Sequence, residues 1–396
     1  MMMHSQGPIV IAAGGTGGHL FPGQALAQEL RRRGRHIVLI TDERVQRFDA
    51  LFPGADIFSV PSATPNDRGI VGLLKALPAI ISGVAQAFAI LGRVKPSVVI
   101  GFGGYPTLPP LVAAVLRGVP TCVHEQNAVL GRVNRLMARF IEAIASTFAT
   151  PKYLRAGDSF KLVITGNPVR DAVMEHAAAP YVAPGEGGQI ELLVFGGSQG
   201  ARVMSDIVPG ALARLAPGLR SRLHVVQQAR PEDIDEVRRK YIDAGISVEL
   251  ESFFDDMPAR IAASHLVIGR SGASTVAELS VIGRPSILVP LPHSLDNDQK
   301  ANAEKLQAAG AAIMIEQKDF TEEVLASRLQ GLLADPSTLV DAAQAALRQG
   351  APDAVRRLAD LVEALGRGEF KAHIEEKMLS DETGPSGPLL LAQEDC

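Results

Sequence analysis

The chain has 396 residues, of which 46% are hydrophobic and 21% are charged, a composition typical of globular proteins and not of disordered or fibrous ones. Its two cysteines, Cys122 and Cys396, are too few for a disulfide framework, and no Cys/His spacing indicates a zinc site. A protein of a reducing cytoplasm is therefore expected. The chain begins without a basic segment before its first apolar run, so no secretory signal is predicted.

Charge is divided unevenly along the chain. The formal net charge is −4, but residues 1–165 carry 17 Lys and Arg against 9 Asp and Glu, whereas the remainder carries 22 against 34. A basic first half predicts an anionic partner for that half, such as a phosphorylated substrate or an anionic membrane surface. Exposed arginines that only solvate a helix, as at 31–33, would produce the same charge, so this alternative stays open. No nucleic-acid partner is expected.

Apolar runs of strand length alternate with helical segments in two series. Strands are predicted at 9–13, 36–41, 98–101, 120–124, 143–147 and 162–165, and then at 190–195, 223–227, 247–250, 266–269 and 286–289. Such alternation predicts parallel sheets with helices on both faces. Because each series opens with a strand, a glycine-rich turn and a helix, we predict an α/β protein with two Rossmann-like, doubly wound domains that face each other across a cleft.

The two series set the predicted domain boundaries. The N-terminal domain is predicted at 7–165 and the C-terminal domain at 166–350. A terminal helix is predicted at 351–370, because a proline stands near its start and a glycine near its end. Residues 371–396 include the stretch SDETGPSGP and are predicted to be a disordered tail.

The stretch GGTGGH at 14–19 joins the first predicted strand to its helix. It does not fit the dinucleotide pattern G-x-G-x-x-G, whose third glycine would fall on Leu20, and it lacks the G-K-[ST] of a P-loop. Glycines at a helix N-terminus favour a bound anion and a close approach of ligand to backbone, although a plain structural turn explains them equally well. His19 stands in the first helical turn, and an imidazole, with an ordinary pKa near 6.5, suits a general base.

Two further segments follow strands of the first series. GFGGYPTLPP at 101–110 is another glycine turn, and its glycines would admit a substrate or lipid headgroup close to the backbone. HEQN at 124–127 places two titratable groups and two amides at a strand end, where sites form in parallel sheets. A structural turn is the alternative for GFGGYPTLPP. Arg132, Arg135 and Arg139 follow HEQN at helical spacing, and such a stripe is more often a solvated helix face.

The segment 69–91 is strongly apolar at helical spacing. Lys75 and Pro78 interrupt it, so its uninterrupted apolar stretch is shorter than the roughly 20 residues that a membrane span needs. One interpretation is a buried core helix. Because basic residues flank the segment, a surface helix that dips into a membrane interface is the other.

In the second series, GRSGASTVAEL at 269–279 follows a strand and opens a helix. Its amides and hydroxyls predict a phosphate site, with Glu278 placed for sugar hydroxyls. Thr275 and Glu278 also have the spacing of a capping box, which is the alternative. The D-x-D pairs at 233–235 and 296–298 fit a helix start and a loop better than a ligand set, so no metal site is predicted.

Six motifs occur in a fixed order over most of residues 9–302: GGTGGH, GFGGYP, HEQN, GNPVR, GGSQGA and RSGAST. Together they closely resemble the MurG family of glycosyltransferases (family 28), the cell-wall N-acetylglucosaminyltransferases. The resemblance implies a GT-B fold and inverting transfer of GlcNAc from UDP-GlcNAc to the muramyl C4 hydroxyl of undecaprenyl-pyrophosphoryl-MurNAc-pentapeptide, the step from lipid I to lipid II in peptidoglycan synthesis. It implies no metal or other cofactor, and a peripheral location on the anionic cytoplasmic face of the bacterial inner membrane.

The resemblance also implies roles for individual residues. The GlcNAc region is assigned to Thr16, Gly17, Gly18, Asn127 and Gln299. The UDP moiety is assigned to Arg170 and Ser198 for the diphosphate, Ala273, Ser274 and Thr275 for pyrophosphate and ribose, Glu278 for the ribose hydroxyls, and Phe254 for uracil. The acceptor and the membrane are assigned to Lys75, Ile81, Phe88, Gly103, Gly104 and Tyr105.

Inverting transfer needs a base on the acceptor side and stabilisation of the departing diphosphate. We predict His19 as the base, with Glu125 as the alternative. Helix N-termini together with Arg170 are predicted to stabilise the diphosphate. Other functions fit the same features: another GT-B nucleotide-sugar enzyme, such as a glycolipid transferase or a UDP-GlcNAc 2-epimerase, or an inactive nucleotide-sugar-binding protein.

Overall fold

The computed structural model describes residues 7–15, 17–42, 51–63, 70–197 and 200–370, with the backbone alone for 70–75. Thr16, Ser198 and the predicted tail at 371–396 lie outside the described residues. The chain divides into two compact units. The first unit is Met1–Arg170 together with Asp353–Cys396, and the second is Asp171–Pro352.

The first unit is built on a parallel sheet. Its strands are β1 (Ile9–Ala12), β2 (Ile37–Thr41), β3 (Asp56–Ser59), β4 (Val98–Gly101), β5 (Thr121–Glu125), β6 (Ala143–Ser146) and β7 (Leu162–Ile164). The seven strands described there pair in the order β3-β2-β1-β4-β5-β6-β7, all parallel. The six strands expected from the sequence are confirmed. β3 was not expected, because this edge strand is largely exposed and has no apolar run.

Helices cover both faces of this sheet. They are α1 (Gly17–Arg32), α2 (Ile70–Val94), α3 (Leu108–Leu116), α4 (Arg132–Met137) and α14 (Ala354–Arg367). On one face, α1 and α14 bury residues such as Leu26 and Leu361. On the other face, α2, α3 and α4 bury residues such as Leu91, Leu111 and Val133. Both faces of the strands are covered, which is why they appear in the sequence as continuous apolar runs.

The second unit repeats this plan. Its strands are β8 (Ile190–Phe195), β9 (Leu223–Gln228), β10 (Ser247–Glu251), β11 (Leu266–Gly269), β12 (Ser286–Leu288) and β13 (Ala312–Met314). In the described part of the unit they pair in the order β10-β9-β8-β11-β12-β13, all parallel. Its helices are α5 (Asp171–Met174), α6 (Arg202–Ala213), α7 (Pro217–Arg220), α8 (Ile234–Asp243), α9 (Met257–Ala263), α10 (Ala273–Ile282), α11 (Asp298–Ala308), α12 (Glu322–Ala334) and α13 (Pro336–Gln349). The predicted α/β class with two parallel-sheet domains is confirmed, and β13 is a further strand that was not predicted.

Each sheet reverses its strand order beside its first strand. β1 pairs with β2 on one side and with β4 on the other, and β8 pairs likewise with β9 and β11. In the first unit, the helices that follow β1 and β4 pack on opposite faces of the sheet. The loops at the carboxyl ends of these two strands therefore diverge and leave a crevice, which is where open parallel sheets bind ligands.

The C-terminal helix α14 completes the core of the first unit. Leu358, Leu361 and Val362 are fully buried against the sheet. At the helix surface, the guanidinium group of Arg33 lies 2.5 Å from Asp360 and 3.0 Å from Glu363. Because such partly exposed ion pairs contribute little, the buried leucines provide most of the stabilisation.

Truncation of a buried leucine on α14 should destabilise the first unit. Leu361→Ala removes a fully buried side chain, and we expect it to lower the free energy of unfolding by about 3 kcal/mol. Urea denaturation followed by circular dichroism measures this loss. Arg367→Ala, on an exposed part of the same helix, serves as the control and should change stability by less than about 0.5 kcal/mol. Equal stability of the two variants would contradict a core role for α14.

Candidate active site

Two glycine turns meet at the switch point of the first sheet. Gly14 and Gly15 follow β1, and Gly103 and Gly104 follow β4. The turns are packed closely, since a Cβ atom at Gly14 would lie 2.8 Å from Cβ of Pro106. Gly15, Gly103 and Gly104 have φ values of 88°, 85° and 76°, and only glycine adopts such values without strain. The backbone at this edge is therefore open to a ligand.

His19 lies in the first turn of α1, beside the second of these turns. It is half-buried. A Cβ atom at Gly103 would lie 3.5 Å from its Cε1 atom, and one at Gly104 would lie 3.4 Å from its Cδ2 atom. The glycine pair thus packs against the imidazole ring, and the two motifs GGTGGH and GFGGYP form one site.

A chain of hydrogen bonds fixes the orientation of His19. The side-chain nitrogen of Gln126 is 3.1 Å from both the carbonyl oxygen of Phe102 and Nδ1 of His124. The amide oxygen of Gln126 therefore faces His19, whose Nδ1 lies 3.3 Å away. Since that oxygen only accepts, Nδ1 of His19 carries the proton and Nε2 keeps its lone pair.

The far end of this chain is buried. His124 is fully buried, and its Nε2 donates to the carbonyl oxygen of Gly166 at 2.9 Å, so its Nδ1 accepts from Gln126. Burial lowers the pKa of His124 to about 4, and the hydrogen bond to Gly166 opposes this shift. His124 is therefore a neutral anchor for Gln126 at physiological pH.

Glu125, the alternative base, is a buried acceptor with a full set of donors. Its Oε1 accepts from the backbone and side-chain nitrogens of Asn127, and its Oε2 accepts from the Gly131 amide at 2.7 Å and from Asn134 at 2.8 Å. Burial raises its pKa, whereas these hydrogen bonds and the charge of His19 oppose the shift. Its geometry is that of a carboxylate that holds the 126–134 loop in place.

Arg170 lies in the first unit, against α1. Its guanidinium group stacks over the ring of Phe21, 4.3 Å from the ring centroid. The same ring crosses the start of the helix, because a Cβ atom at Gly17 would lie 2.9 Å from Cε2 of Phe21. A cation is thereby held near the first glycine turn, as an anion-binding role requires.

The second unit carries a matching pair of turns at its own switch point. After β8, Gly197 and Gly200 have φ values of 86° and 66°. A Cβ atom at Gly196 would collide with the backbone of Ala201, so this turn also depends on glycine. Ser198, the residue assigned to the diphosphate, lies outside the described residues between these glycines.

The turn after β11 opens α10. The N-cap of this helix is Gly272, so Thr275 stands inside the helix, and the capping-box interpretation of Thr275 and Glu278 is wrong. The Ser274 hydroxyl is buried and has no hydrogen-bond partner within the described part of the chain. Together with the positive end of the helix dipole at the start of α10, this hydroxyl suits an anion.

Glu278 and Gln299 belong to neighbouring helices. Glu278 is 7% exposed on α10. Gln299 lies in the first turn of α11, and its side-chain oxygen accepts from the Leu291 amide at 3.0 Å. The Ser271 hydroxyl donates to the Gln299 carbonyl at 2.8 Å, which joins the starts of the two helices.

The loop before α11 is strained. His293, Asp296 and Asn297 have φ values of 59°, 55° and 57°, which non-glycine residues rarely adopt. Such strain persists where the surroundings hold the loop in one conformation, and it concentrates at functional sites. Asp298 accepts from the Gln299 amide at 2.7 Å, a local contact within this loop.

Phe254 lies in the loop after β10 and is 5% exposed. The guanidinium group of Arg260 stacks over its ring at 4.2 Å from the centroid. Arg260 is itself held by Glu249 at 2.8 Å and by Asp256 at 2.6 Å. The backbone around Phe254 is therefore fixed, as a base-binding loop requires.

The residues assigned to the acceptor and the membrane lie on α2, which carries Ile81 and Phe88, and in the segment between β4 and α3, which contains Gly103, Gly104 and Tyr105. Ile81 and Phe88 are 59% and 40% exposed, and Tyr105 packs half-buried against the same core. The side chain of Lys75 lies outside the described residues. Within the described chain, Ala76–Val94 is long and apolar enough by length and composition to cross a membrane, a criterion that core helices also meet.

Sequence reasoning missed four side chains that shape these sites: Phe21, Gln126, Asn134 and Gln228. Gln126 lies inside the HEQN motif, and this was the only feature of the sequence that could have pointed to its role. Phe21, Asn134 and Gln228 belong to no motif and are recognised only by their contacts with Arg170, Glu125 and Gly196. Elsewhere in the described ranges, no three His, Cys, Asp or Glu side chains lie together as metal ligands would.

Family models match most of the chain. The glycosyltransferase family 28 N-terminal domain matches residues 9–146, and the glycosyltransferase family 28 C-terminal domain matches residues 191–358. A Granulibacter bethesdensis protein is 52% identical over 93% of this chain and 98% of its own length, and one from Methylobacterium sp. strain 4-46 is 53% identical over 91% and 97%. Both are named UDP-N-acetylglucosamine–N-acetylmuramyl-(pentapeptide) pyrophosphoryl-undecaprenol N-acetylglucosamine transferase.

Solved structures share the fold. Acinetobacter baumannii MurG superposes with a TM-score of 0.73 at 27% identity, over 90% of this chain and 99% of that one. A UDP-N-acetylglucosamine 2-epimerase superposes with a TM-score of 0.64 over 99% and 100% of the two chains, but at 16% identity this likeness concerns the fold alone.

Stability should fall in mild acid because of His124. Its pKa is about 4 in the folded chain against 6.5 when unfolded, so the unfolded chain takes the proton first as pH falls. We expect the free energy of unfolding to fall by about 3 kcal/mol because of this group. The loss begins as pH falls below 6.5 and is nearly complete at pH 4. Urea denaturation between pH 7 and 4.5 measures it. His124→Gln should flatten the slope, and His36→Gln, at an exposed site, should not. An unchanged slope in His124→Gln would contradict the assignment.

Proposed function

We propose that this chain, which belongs to glycosyltransferase family 28, transfers GlcNAc from UDP-GlcNAc to the muramyl C4 hydroxyl of undecaprenyl-pyrophosphoryl-MurNAc-pentapeptide. It is an N-acetylglucosamine transferase, and it converts lipid I into lipid II in peptidoglycan synthesis. The observation that carries this function is the match to transferases of that name along nearly their whole length. The turns of both units support it, since each has the open backbone that a phosphorylated substrate needs.

His19 is proposed as the general base. Its Nδ1 proton is held by Gln126, so its Nε2 accepts the proton of the C4 hydroxyl while that oxygen attacks the anomeric carbon. The bond from that carbon to the diphosphate breaks with its electron pair, and UDP leaves from the opposite side. Glu125 is less suited to this role, because both of its oxygens already accept hydrogen bonds. We assign it the positioning of Asn127.

The departing diphosphate is proposed to be stabilised without a metal ion. In the second unit, the N-terminus of α10 and the Ser274 hydroxyl supply donors for it, and the sequence assigns Ser198 and Arg170 to the same group. Donors that are fixed before the reaction stabilise the charge that develops on the leaving group. Glu278, Gln299 and the backbone at Phe254 are proposed for the ribose, GlcNAc and uracil.

A membrane-facing surface is proposed on α2 and α3 of the first unit. Leu77, Ile81, Phe88 and Leu116 are all between 40% and 66% exposed there. The Arg117 guanidinium group stacks on the Phe88 ring at 3.8 Å, which places a cation within the apolar patch. A buried apolar seam, including Ala87 and Leu91, holds α2 on the sheet. An exposed apolar patch with a cation beside it, on a helix whose other face is buried, favours peripheral binding to the anionic inner leaflet over a membrane span.

Transfer of labelled GlcNAc from UDP-GlcNAc to a short-chain lipid I analogue tests the function, the base and the absence of a metal together. We expect product with and without EDTA. His19→Ala should lower kcat by roughly 10²- to 10⁴-fold while the Kd for UDP stays near that of the wild type. Gln126→Met should lower kcat by about tenfold, since Nδ1 of His19 loses its acceptor.

The same assay can contradict the metal-free transfer, the role of His19 and the transferase activity separately. Loss of product with EDTA would contradict metal-free transfer, and full turnover by His19→Ala would contradict the base. Epimerisation of UDP-GlcNAc without acceptor, or UDP binding without any transfer, would contradict the transferase.

The membrane surface predicts a selective loss of vesicle binding. Replacement of both Ile81 and Phe88 by Glu should reduce binding to anionic phospholipid vesicles by at least about tenfold, because charge replaces exposed apolar area. The Kd for UDP-GlcNAc should stay unchanged. Ile242→Glu, at a 64% exposed position in the second unit, is the matched control and should bind vesicles normally. Normal vesicle binding by the double variant would refute the surface.

A further inference from the structure

We propose that Gln228 is a positioning residue for the donor nucleotide, because it joins the glycine turn after β8 to the Phe254 loop after β10. The inference rests on the proposed function, from which the donor roles of these two loops come. It adds a residue that touches neither uracil nor diphosphate but sets the spacing between the backbone segments that bind them.

Gln228 stands at the centre of the relevant sheet edge. It is the last residue of β9, which lies between β8 and β10. Its side chain is nearly fully buried, at 4% exposure. The amide oxygen accepts from the Gly196 amide at 3.3 Å, and the amide nitrogen donates to the Ser252 carbonyl at 3.1 Å. One side chain thus bridges the loops that follow both neighbouring strands.

The bridge needs an amide side chain of this length. Its two partners are a backbone donor on one loop and a backbone acceptor on the other. Glutamine presents an acceptor and a donor from the same group, whereas a carboxylate only accepts and an ammonium group only donates. Gly196 is two residues before Ser198, and Ser252 is two residues before Phe254. Loss of the bridge therefore frees both donor-binding segments at once.

The neighbouring residue on β9 is a matched control. Gln227 is fully buried, and its amide oxygen accepts from the Tyr241 hydroxyl at 2.6 Å. Consecutive residues of a strand point to opposite faces, and this bond joins β9 to α8. Loss of the Gln227 bond costs stability without releasing either donor loop.

Gln228→Met and Gln227→Met separate positioning from folding. Methionine has a similar size and shape to glutamine but makes neither hydrogen bond. For Gln228→Met we expect the Kd for UDP and the KM for UDP-GlcNAc to rise by about tenfold, and kcat at saturating donor to stay within about threefold. Gln227→Met should lower the melting temperature about as much as Gln228→Met does, because each variant loses buried hydrogen bonding. It should change the Kd for UDP by less than about twofold. Calorimetric titration with UDP and steady-state transfer kinetics measure these values.

Two outcomes would overturn the inference: a wild-type Kd for UDP in Gln228→Met, or an equal rise of Kd in Gln227→Met, which would make the effect structural. The wild-type titration comes first, because it distinguishes failure of the proposed function from failure of the Gln228 role. A wild-type chain that binds no UDP would overturn the proposed function and this inference with it. A wild-type chain that binds and transfers, beside an unaffected Gln228→Met, would overturn the inference alone.

Discussion

The reversal of strand order beside the first strand of each sheet is the constraint on which the sites depend. Since the crossovers on the two sides of that strand leave toward opposite faces, the loops at its carboxyl end and at the end of its neighbour separate. Each unit places glycine-rich turns at both of these positions. Gly15 and Gly103 in the first unit, and Gly197 in the second, adopt φ values that exclude larger residues. The open backbone at each edge is thus a consequence of topology and glycine together.

In the first unit, a chain of hydrogen bonds runs from His19 into the core of the sheet. The imidazole of His19 is oriented by Gln126, which is oriented by His124, which is anchored on the Gly166 carbonyl. Burial of His124 keeps it neutral, so each member of the chain has a single donor and acceptor arrangement. Glu125 holds the adjacent loop in the same way, with four donors on two oxygens. The half-buried side chain of His19 is thus positioned by a buried hydrogen-bond network.

The two units divide the tasks of transfer differently. The first unit combines His19, which is proposed as the base, with a stacked arginine and an apolar surface whose helix α2 is anchored by a buried seam. The second unit has helix starts joined through Ser271 and Gln299, and a loop after β10 in which Arg260 stacks on Phe254. The chain after residue 165 is acidic overall, and backbone amides and hydroxyls are the groups proposed to bind the diphosphate in this unit. The helix α14 returns the chain to the first unit and completes its core, so the two ends of the described chain stabilise the same sheet.

Much of this protein is determined by the sequence alone. Continuous apolar runs predicted nearly every strand, since strands covered on both faces need them. Glycine turns at strand ends located His19, Gly103, Gly104 and the start of α10, and the polar cluster HEQN at a strand end located Glu125. Two edge strands, β3 and β13, escaped detection, and in β3 exposure removes that signal. Only the tertiary structure decided that Thr275 stands inside a helix and not at its cap, that Arg170 rests on Phe21, and that Gln126 and Gln228 hold the loops. Those roles depend on distances between strands far apart in the chain, and a pattern along the chain does not contain such distances.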